Sequence, residues 1–198
     1  TSNGILFGEL TACYDALMSG TLPDLAPLAV QYADFAAWQR RWLEGERSRR
    51  QLDYWTRRLR DAPGALELPT DFPRPAEQRF RGAWVWRSLP AERAAGLREF
   101  ARRRDATLYM LMLATFKVLL ARYTGQRDLV VGTPVSARPH AALEGLVGLF
   151  INTVVLRTDA SGDPSFEEFL GRVRATAVDA FAHQDVPFER LVESLKPE

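Results

Sequence analysis

The sequence has 198 residues, 46% of them hydrophobic, and its 26 basic and 25 acidic residues leave a formal net charge of +1. This composition suits a soluble protein with a packed core, and the charge balance argues against nucleic acid or an anionic membrane as the main partner. Cys13 is the single cysteine, which excludes an internal disulfide and predicts a reducing, cytoplasmic setting with Cys13 filling the core.

The first half of the chain is predicted to be mainly helical. A helix is expected over residues 4–18, and one long, bent helix from Gln31 to Asp61 with a soft spot at Gly45. Residues 62–82 hold four prolines and predict an extended connection. The alternating stretch AWVWRSL, residues 83–89, predicts a strand.

The second half mixes helices and strands. Pro90 is expected to open one helix, and Thr107 to cap another that is apolar on nearly all sides and ends at Gly125 in the interior. DLVVGTPV and GLVGLFINTVVLR predict two buried strands. Two final helices are expected, one capped by Asp163 or Ser165 and one after Pro187. The order predicts an α/β layered fold whose sheet is only partly encoded by these residues.

Few residues suggest chemistry. The two histidines, His140 and His183, fit no catalytic triad, and the sequence shows no metal-binding spacing and no phosphate-binding glycine loop. His140 is expected in a loop. His183 begins a stretch at a helix junction, where it is expected, with Gln184 and Asp185, to bond free backbone groups; the alternative is a direct chemical role.

Asn152 lies in the middle of an apolar strand. Burying its amide costs on the order of 1–3 kcal/mol unless its hydrogen bonds are met. Either a neighbouring backbone group satisfies these hydrogen bonds, or the amide faces a substrate channel and holds a loop or a ligand there. Ser136 follows a predicted strand, where it lines a cleft or serves as a turn serine. Arg157, at a strand end, is expected to form an ion pair.

Three motifs, in order along the chain, resemble those of the condensation domains of nonribosomal peptide synthetases. YADFAAW is similar to the family's YxDFAxW, VGLFINTVVLR to its IGxFVNTxxxR, and AHQDVPFERL to its HQDVPFExL. The resemblance runs from end to end. By this resemblance, seven residues belong to motifs with a structural role: Tyr32, Asp34, Trp38, Arg157, His183, Gln184 and Asp185.

The resemblance implies an α/β two-layer sandwich of the chloramphenicol-acetyltransferase-like class. Residues 1–27 would be the end of the N-terminal lobe and a linker, and residues 28–198 most of the C-terminal lobe. Such a domain forms an amide between a carrier-tethered donor thioester and the amine of a carrier-tethered acceptor. It binds no cofactor directly, because donor and acceptor peptidyl carrier proteins deliver phosphopantetheine arms, and an adenylation domain lies next to it.

The family's catalytic motif, HHxxxDG, is absent from this sequence. By the resemblance its histidine would lie before residue 1, on a missing N-terminal lobe, so the chain alone is expected to be an inactive fragment. The resemblance places Asn152, Ser136, Gly148, Phe150 and Thr153 at the floor of the substrate tunnel.

The leading expectation is amide formation in the biosynthesis of an antibiotic or another secondary metabolite. Two other functions stay open. One is a condensation-like module without catalysis that recruits partner proteins. The other is an acyltransferase of the same superfamily that forms esters. The loop and strand around Gly148 resemble the amide-forming branch, and the amino acids that it would join are not predicted.

Overall fold

The structure is a computed structural model that describes residues 2–73, 75, 77, 80 and 82–195. These residues form seven α-helices, two β-strands and a single 3-10 turn at Ala141–Leu143. The helices and strands are α1 (Ser2–Met18), α2 (Tyr32–Leu43), α3 (Glu46–Leu59), α4 (Ala91–Arg102), α5 (Leu108–Thr124), β1 (Asp128–Ser136), β2 (Ile151–Asp159), α6 (Phe166–Ala182) and α7 (Phe188–Leu195).

The described chain divides into two compact units. Unit 1 contains residues 2–60, 132–154 and 183–195, and unit 2 contains residues 61–131 and 155–182 where described. In unit 1, α3 packs against both α2 and α7. In unit 2, α5 packs against both α4 and α6. The lobe boundary near residue 27 that the resemblance implies stays a prediction.

The two strands form an antiparallel pair. At one end Ala137 N donates to Phe150 O at 2.9 Å, and at the other Ala160 N donates to Arg127 O at 2.7 Å. β1 lies where its apolar run predicted it, whereas β2 begins at Ile151, six residues later than the predicted start at Gly145, and ends at Asp159. The expectation that both are buried is wrong for β1, in which Leu129 alone is buried, whereas β2 buries more than half of its residues. An apolar run does not show how much of a strand other elements cover.

Helix ends follow their local signals. The Thr107 hydroxyl accepts from Met110 N at 3.2 Å at the start of α5, and Gly125, with φ of 72°, ends that helix. Ser165 caps α6, since Glu168 N donates to its hydroxyl and Ser165 N donates back to the Glu168 carboxylate. Pro90 precedes α4 as predicted.

The single long helix predicted over residues 31–61 is wrong, because α2 ends at Leu43 and α3 begins at Glu46. The backbone of Gly45 is extended (φ −78°, ψ 165°), and its N–H donates to Trp42 O at 3.0 Å. The apolar spacing runs on across the break because both helices turn a face inward, burying Phe35 and Trp55.

The strand predicted at residues 83–89 is also wrong. Residues 82–90 have no regular structure, and Trp84 and Trp86 are exposed and stacked on each other with ring centroids 5.7 Å apart. Alternation makes a strand only where a neighbour completes its hydrogen bonds. The expected lack of helix and strand is confirmed for the described residues from 62 to 82, and the extended path stays a prediction; residues 74, 76, 78, 79 and 81 lie outside the described residues.

Two burial predictions are wrong for one reason. Cys13 is half-buried and α1 buries none of its residues. The helix α5, expected to be surrounded, leaves one face exposed, with Met112, Phe116, Leu119 and Tyr123 on it. Periodicity shows which residues share a face but not whether this chain covers that face.

Within the described ranges, no helix combines the length and hydropathy needed to cross a membrane. The same residues contain no group of three or more His, Cys, Asp or Glu side chains placed to hold a metal ion.

Candidate functional site

The Asn152 side chain is enclosed in unit 1 with 9% of its surface exposed. Its Nδ2 donates to Gln184 O at 2.7 Å and to Val186 O at 2.8 Å. Its Oδ1 accepts from Phe188 N at 3.0 Å and from Thr153 N at 2.8 Å. An amide offers two donors and two lone pairs, so backbone groups satisfy all four positions. Of the two partners considered for this amide, the backbone is the one it bonds.

The turn before α7, residues 183–187, is fixed by α3 as well. Gln51 Nε2 donates to Asp185 Oδ2 at 2.8 Å, and Asp185 N donates to Gln51 Oε1 at 3.1 Å. Trp55 Nε1 donates to His183 O at 2.8 Å, and the Tyr54 ring stacks on the His183 ring at 3.8 Å. The structure therefore brings together Asn152 and the HQD motif. Gln51 was not anticipated, because a polar residue on an Arg-rich helix gives no sequence signal.

A cavity of about 400 Å³ lies in unit 1, at the end of β1 and the start of β2. The residues that border it include Ser2, Ser136, Arg138, Gly148 and Phe150. Three of the predicted tunnel residues, Ser136, Gly148 and Phe150, thus share one cavity. Asn152 and Thr153 are the next residues of β2 and do not border it.

Arg138 connects the wall of this cavity to its surroundings. Its Nη1 donates to Leu143 O, and its Nη2 donates to Leu146 O at 2.8 Å and to Ser2 Oγ at 3.0 Å. The guanidinium carbon lies 3.9 Å from the centroid of the Phe150 ring. Arg138 was not among the residues predicted from the sequence; its one signal is an arginine in a loop between two apolar strands.

Gly148 is enclosed by Ser2 and by Tyr32 of the YADFAAW motif. The Ser2 hydroxyl donates to Gly148 O at 2.7 Å and accepts from Gly148 N at 3.1 Å. A Cβ on Gly148 would lie 2.6 Å from Cε2 of Tyr32, inside contact distance. The Tyr32 hydroxyl donates to Leu149 O at 3.3 Å. Only glycine allows the loop to approach the Tyr32 ring this closely.

An aromatic cluster packs behind the cavity. The Phe35 and Phe150 ring centroids are 4.8 Å apart, and the Tyr32 ring meets Phe150 edge-on at 5.3 Å. Trp38 stacks on Phe35 at 5.9 Å and meets the His140 ring edge-on at 5.5 Å. Aromatic pairs in these geometries add to the stability that their burial gives. The YADFAAW motif therefore supports the cavity wall from α2.

Asp34 acts at the start of the same helix. Gln31 N donates to Asp34 Oδ2 at 2.8 Å, which satisfies a backbone donor at the beginning of α2. A smaller cavity of about 110 Å³ lies beside this helix. Trp38, Ser136, Arg138, Gln184 and Asp185 are among the residues that line it. Residues from all three motifs and the end of β1 therefore meet in unit 1.

Two charged residues stabilise unit 2. Arg157 pairs with Asp128, with Nη2 to Oδ2 at 2.6 Å and Nε to both carboxylate oxygens at 3.0 Å. The hydrogen bonds that Arg157 donates to the Asp128 carboxylate raise the pKa of Arg157. Lys117, which was not predicted from the sequence, is fully buried, and its Nζ donates to Leu156 O and Thr158 Oγ1, both at 2.7 Å, and to Leu129 O at 3.3 Å.

The family model described as Condensation domain matches residues 1–198. Among curated relatives, one of the linear gramicidin synthase subunits of Brevibacillus parabrevis is 50% identical over 197 residues, which are 100% of this chain and 2% of that protein. Phosphinothricin tripeptide synthetase PhsC of Streptomyces viridochromogenes is 46% identical over 197 residues, or 18% of that protein. The chain therefore spans a small part of these relatives.

Two solved structures of related domains have the same fold as this chain. The X-domain from teicoplanin biosynthesis superposes with a TM-score of 0.90 at 36% identity, covering 98% of this chain and 44% of that one. The first condensation domain of the calcium-dependent antibiotic synthetase, in complex with a substrate analogue, gives 0.77 at 27% identity, with coverage of 98% and 44%. The α/β, chloramphenicol-acetyltransferase-like fold class is thereby confirmed. Since the family model matches the whole sequence, the chain belongs to the condensation-domain family of nonribosomal peptide synthetases.

Proposed function

We propose that this chain is part of a condensation domain that forms an amide between two carrier-bound substrates. The amine of an aminoacyl thioester on the acceptor carrier attacks the acyl or peptidyl thioester on the donor carrier. The new amide stays on the acceptor, and the donor carrier leaves with a free thiol. The match of the family model to all 198 residues, with relatives at 50% and 46% identity, supports this proposal most strongly.

The reaction needs an unprotonated amine, two thioesters held in contact, and hydrogen-bond donors near the developing oxyanion. The histidines of this sequence contact other groups, His140 packing on Trp38 and His183 on Tyr54, and neither borders the 400 Å³ cavity. The proton-handling histidine is therefore assigned to an HHxxxDG motif on the N-terminal lobe of the same domain. On this proposal the chain alone is inactive.

The 400 Å³ cavity is the proposed site at which the substrates meet. Ser136, Gly148 and Phe150 border it, and Asn152 and Thr153 continue the strand behind it as support for the tunnel floor. Phosphopantetheine arms on donor and acceptor peptidyl carrier proteins would bring the substrates there. The N-terminal lobe and an adjacent adenylation domain would complete the set of partners, with residues 1–27 and 28–198 divided between the two lobes as the resemblance implies.

The test uses the complete domain of the parent protein. Two carrier proteins are loaded with amino acids, and the acceptor is examined by mass spectrometry for a dipeptidyl thioester. We expect that product, and we expect it to disappear when the second histidine of HHxxxDG is replaced by alanine. Failure to form it with any of several amino-acid pairs, from folded protein, would contradict the proposal. A product formed only with a hydroxyl acceptor would identify an ester-forming enzyme instead.

One observation favours a second candidate, a module that recruits partner proteins without catalysis. The teicoplanin X-domain gives a TM-score of 0.90, above the 0.77 of the condensation domain bound to a substrate analogue, and a related structure is a complex of the X-domain and OxyB. Stable capture of a partner enzyme by a folded, complete domain that yields neither amide nor ester would support this candidate.

A further inference from the structure

Arg138 and Ser136 border both the 400 Å³ and the 110 Å³ cavity described above, and Arg138 is the charged member of this pair. We propose that Arg138 is a positioning residue, which clamps residues 143–148 and Ser2 together and so fixes the cavity wall without contacting the substrates. This inference rests on the proposed function. The segment 143–148 is called the clamped loop below.

The contacts of the guanidinium point to this role. Its two terminal nitrogens donate to Leu143 O and Leu146 O, which belong to one turn of the clamped loop, and to Ser2 Oγ at the start of α1. One face of the group lies on the Phe150 ring. A planar fork with several fixed donors can hold three acceptors from two chain segments at once, which a lysine ammonium does not reproduce.

Ser2 connects Arg138 to Gly148 through the hydrogen bonds of its hydroxyl. The hydroxyl has one donor and two lone pairs, and all are used: it donates to Gly148 O, and it accepts from Gly148 N and from Arg138 Nη2. Arg138 therefore occupies the lone pair that the two bonds to Gly148 leave over, and this third bond holds the hydroxyl in the orientation in which it reaches both backbone groups of Gly148. Arg138, Ser2 and Gly148 all border the 400 Å³ cavity, so this chain of contacts forms a continuous part of its wall.

The cavity wall at Gly148 is also confined on the side that faces Tyr32. Gly148 lies against the Tyr32 ring so closely that even a Cβ would not fit, and Phe150 is 4% exposed beneath the guanidinium. Releasing Arg138 therefore frees the clamped loop to move away from Tyr32 and into the cavity. Reactions between two held substrates depend steeply on their separation, so such a shift would slow the chemical step.

The first test measures order in the loop without any activity. In the complete domain of the parent protein, Arg138→Lys and Ser2→Ala are each compared with the wild type by amide hydrogen exchange. We expect the Gly148 amide to exchange at least about tenfold faster in both variants, because its acceptor is displaced or removed. The Gly125 amide, bonded to Ala121 O in unit 2, serves as the internal reference. Unchanged exchange at Gly148 in Arg138→Lys would overturn the inference.

The second test separates positioning from plain stability. We expect Arg138→Lys to lower kcat for dipeptidyl thioester formation at least about tenfold while KM and Tm change little. Methylguanidinium should restore part of the kcat of Arg138→Ala, whereas methylammonium should not. Arg47→Lys, at an exposed position of α3, is the matched control and should change nothing.

The outcomes are distinguishable. Faster exchange at Gly148 with an unchanged kcat would show that the clamp is structural only and would overturn its role in catalysis. A wild-type domain that exchanges normally at Gly148 but forms no product would contradict the proposed function, and with it the catalytic role of Arg138. The exchange data would still decide whether Arg138 orders the loop.

Discussion

At the scale of single residues, Asn152 shows how one side chain fixes a turn. Its four hydrogen bonds reach the backbone of Gln184, Val186 and Phe188 and that of its own neighbour. Phe188 N is the first backbone donor of α7, so Asn152 caps that helix from a strand distant in sequence. The amide thus joins two of the sequence motifs, VGLFINTVVLR and AHQDVPFERL.

Replacing Asn152 with alanine should therefore be costly. The change leaves two buried carbonyls and the Phe188 N–H without their partner, so we expect the free energy of unfolding to fall by about 3 kcal/mol. Urea denaturation of the complete domain measures this. A loss below about 0.5 kcal/mol would mean that water or relaxation replaces these bonds.

Asn152→Asp tests the same geometry through pH. The substitution turns a carboxyl oxygen toward the carbonyls of Gln184 and Val186, which raises the pKa of that carboxyl in the folded state above its unfolded value. Ionisation then opposes folding, so the variant should lose stability as pH rises above about 4. A pH-independent difference from the wild type between about pH 4 and 7 would contradict this arrangement.

Gly148 tests how closely the loop approaches Tyr32. Gly148→Ala places a Cβ against the Tyr32 ring, and we expect a loss of about 1–3 kcal/mol in unfolding free energy from the forced displacement. The control is Gly171→Ala in α6, where nothing lies within 4 Å. That substitution should stabilise the domain by up to about 1 kcal/mol through helix propensity. Equal effects at both positions, read from the urea midpoints, would refute the close approach.

Part of the site could be predicted from the sequence. Asn152 stood out because an amide in an apolar strand must find partners, and the HQD motif because polar residues gather at a helix junction. Gln51 and Arg138 could not be predicted in the same way. Gln51 bonds the side chain and backbone of Asp185, and Arg138 bonds the Ser2 hydroxyl, so each has a partner far along the chain, and neither polar residue interrupts a periodic pattern.

At the scale of helices and strands, the signals that worked are local ones. Thr107, Gly125 and Ser165 act on backbone groups within four residues, so their roles can be read from short windows. The break at Gly45 was missed because the apolar spacing continues across it. The strand at residues 83–89 was predicted wrongly because pairing depends on a second segment, which alternation does not reveal.

The C-terminal end of α4 carries a measurable charge effect. Arg102 and Arg103 donate hydrogen bonds to the Glu99 carboxylate at 2.8–2.9 Å, and these bonds lower the pKa of Glu99 from 4.5 to about 2. Because the folded pKa lies below the unfolded one, the pairing stabilises the helix above about pH 4.5 and is lost as the pH falls toward 2.

A carbon-detected NMR titration of the Glu99 carboxyl tests this effect. We expect an inflection near pH 2 in the wild type and a shift back toward 4.5 in Arg102→Gln. Arg93→Gln removes an exposed arginine from the same helix without touching these bonds, and it should leave the titration unchanged. A wild-type inflection near 4.5 would show that solvent breaks the pairs.

At the scale of the whole molecule, each compact unit contains a buried polar side chain that bonds backbone groups of several segments. Asn152 serves unit 1, and Lys117 serves unit 2 by bonding the backbone of both strands from α5. Such residues satisfy backbone groups that packing alone would leave unpaired. The exposed apolar faces of α1 and α5 show that this division into units does not bury all of the hydrophobic surface.

The central claim is that the cavity bordered by Ser2, Ser136, Arg138, Gly148 and Phe150 is where carrier-bound substrates meet. The most direct test places a thiol at Ser136 in the complete domain, after Cys13 and any further cysteine of that domain have been replaced by alanine. A carrier protein bearing bromoacetyl-pantetheine is added; attack by the thiol forms a thioether and releases bromide. Ser88→Cys, at an exposed position outside the cavity, is the matched control.

Intact-protein mass spectrometry follows the cross-link over time. We predict that the Ser136→Cys protein joins the carrier at least about tenfold faster than the Ser88→Cys protein, because a docked carrier holds its arm beside residue 136. Equal rates at the two positions, or no adduct at residue 136 with carrier in excess, would contradict the assignment of this cavity as the meeting point.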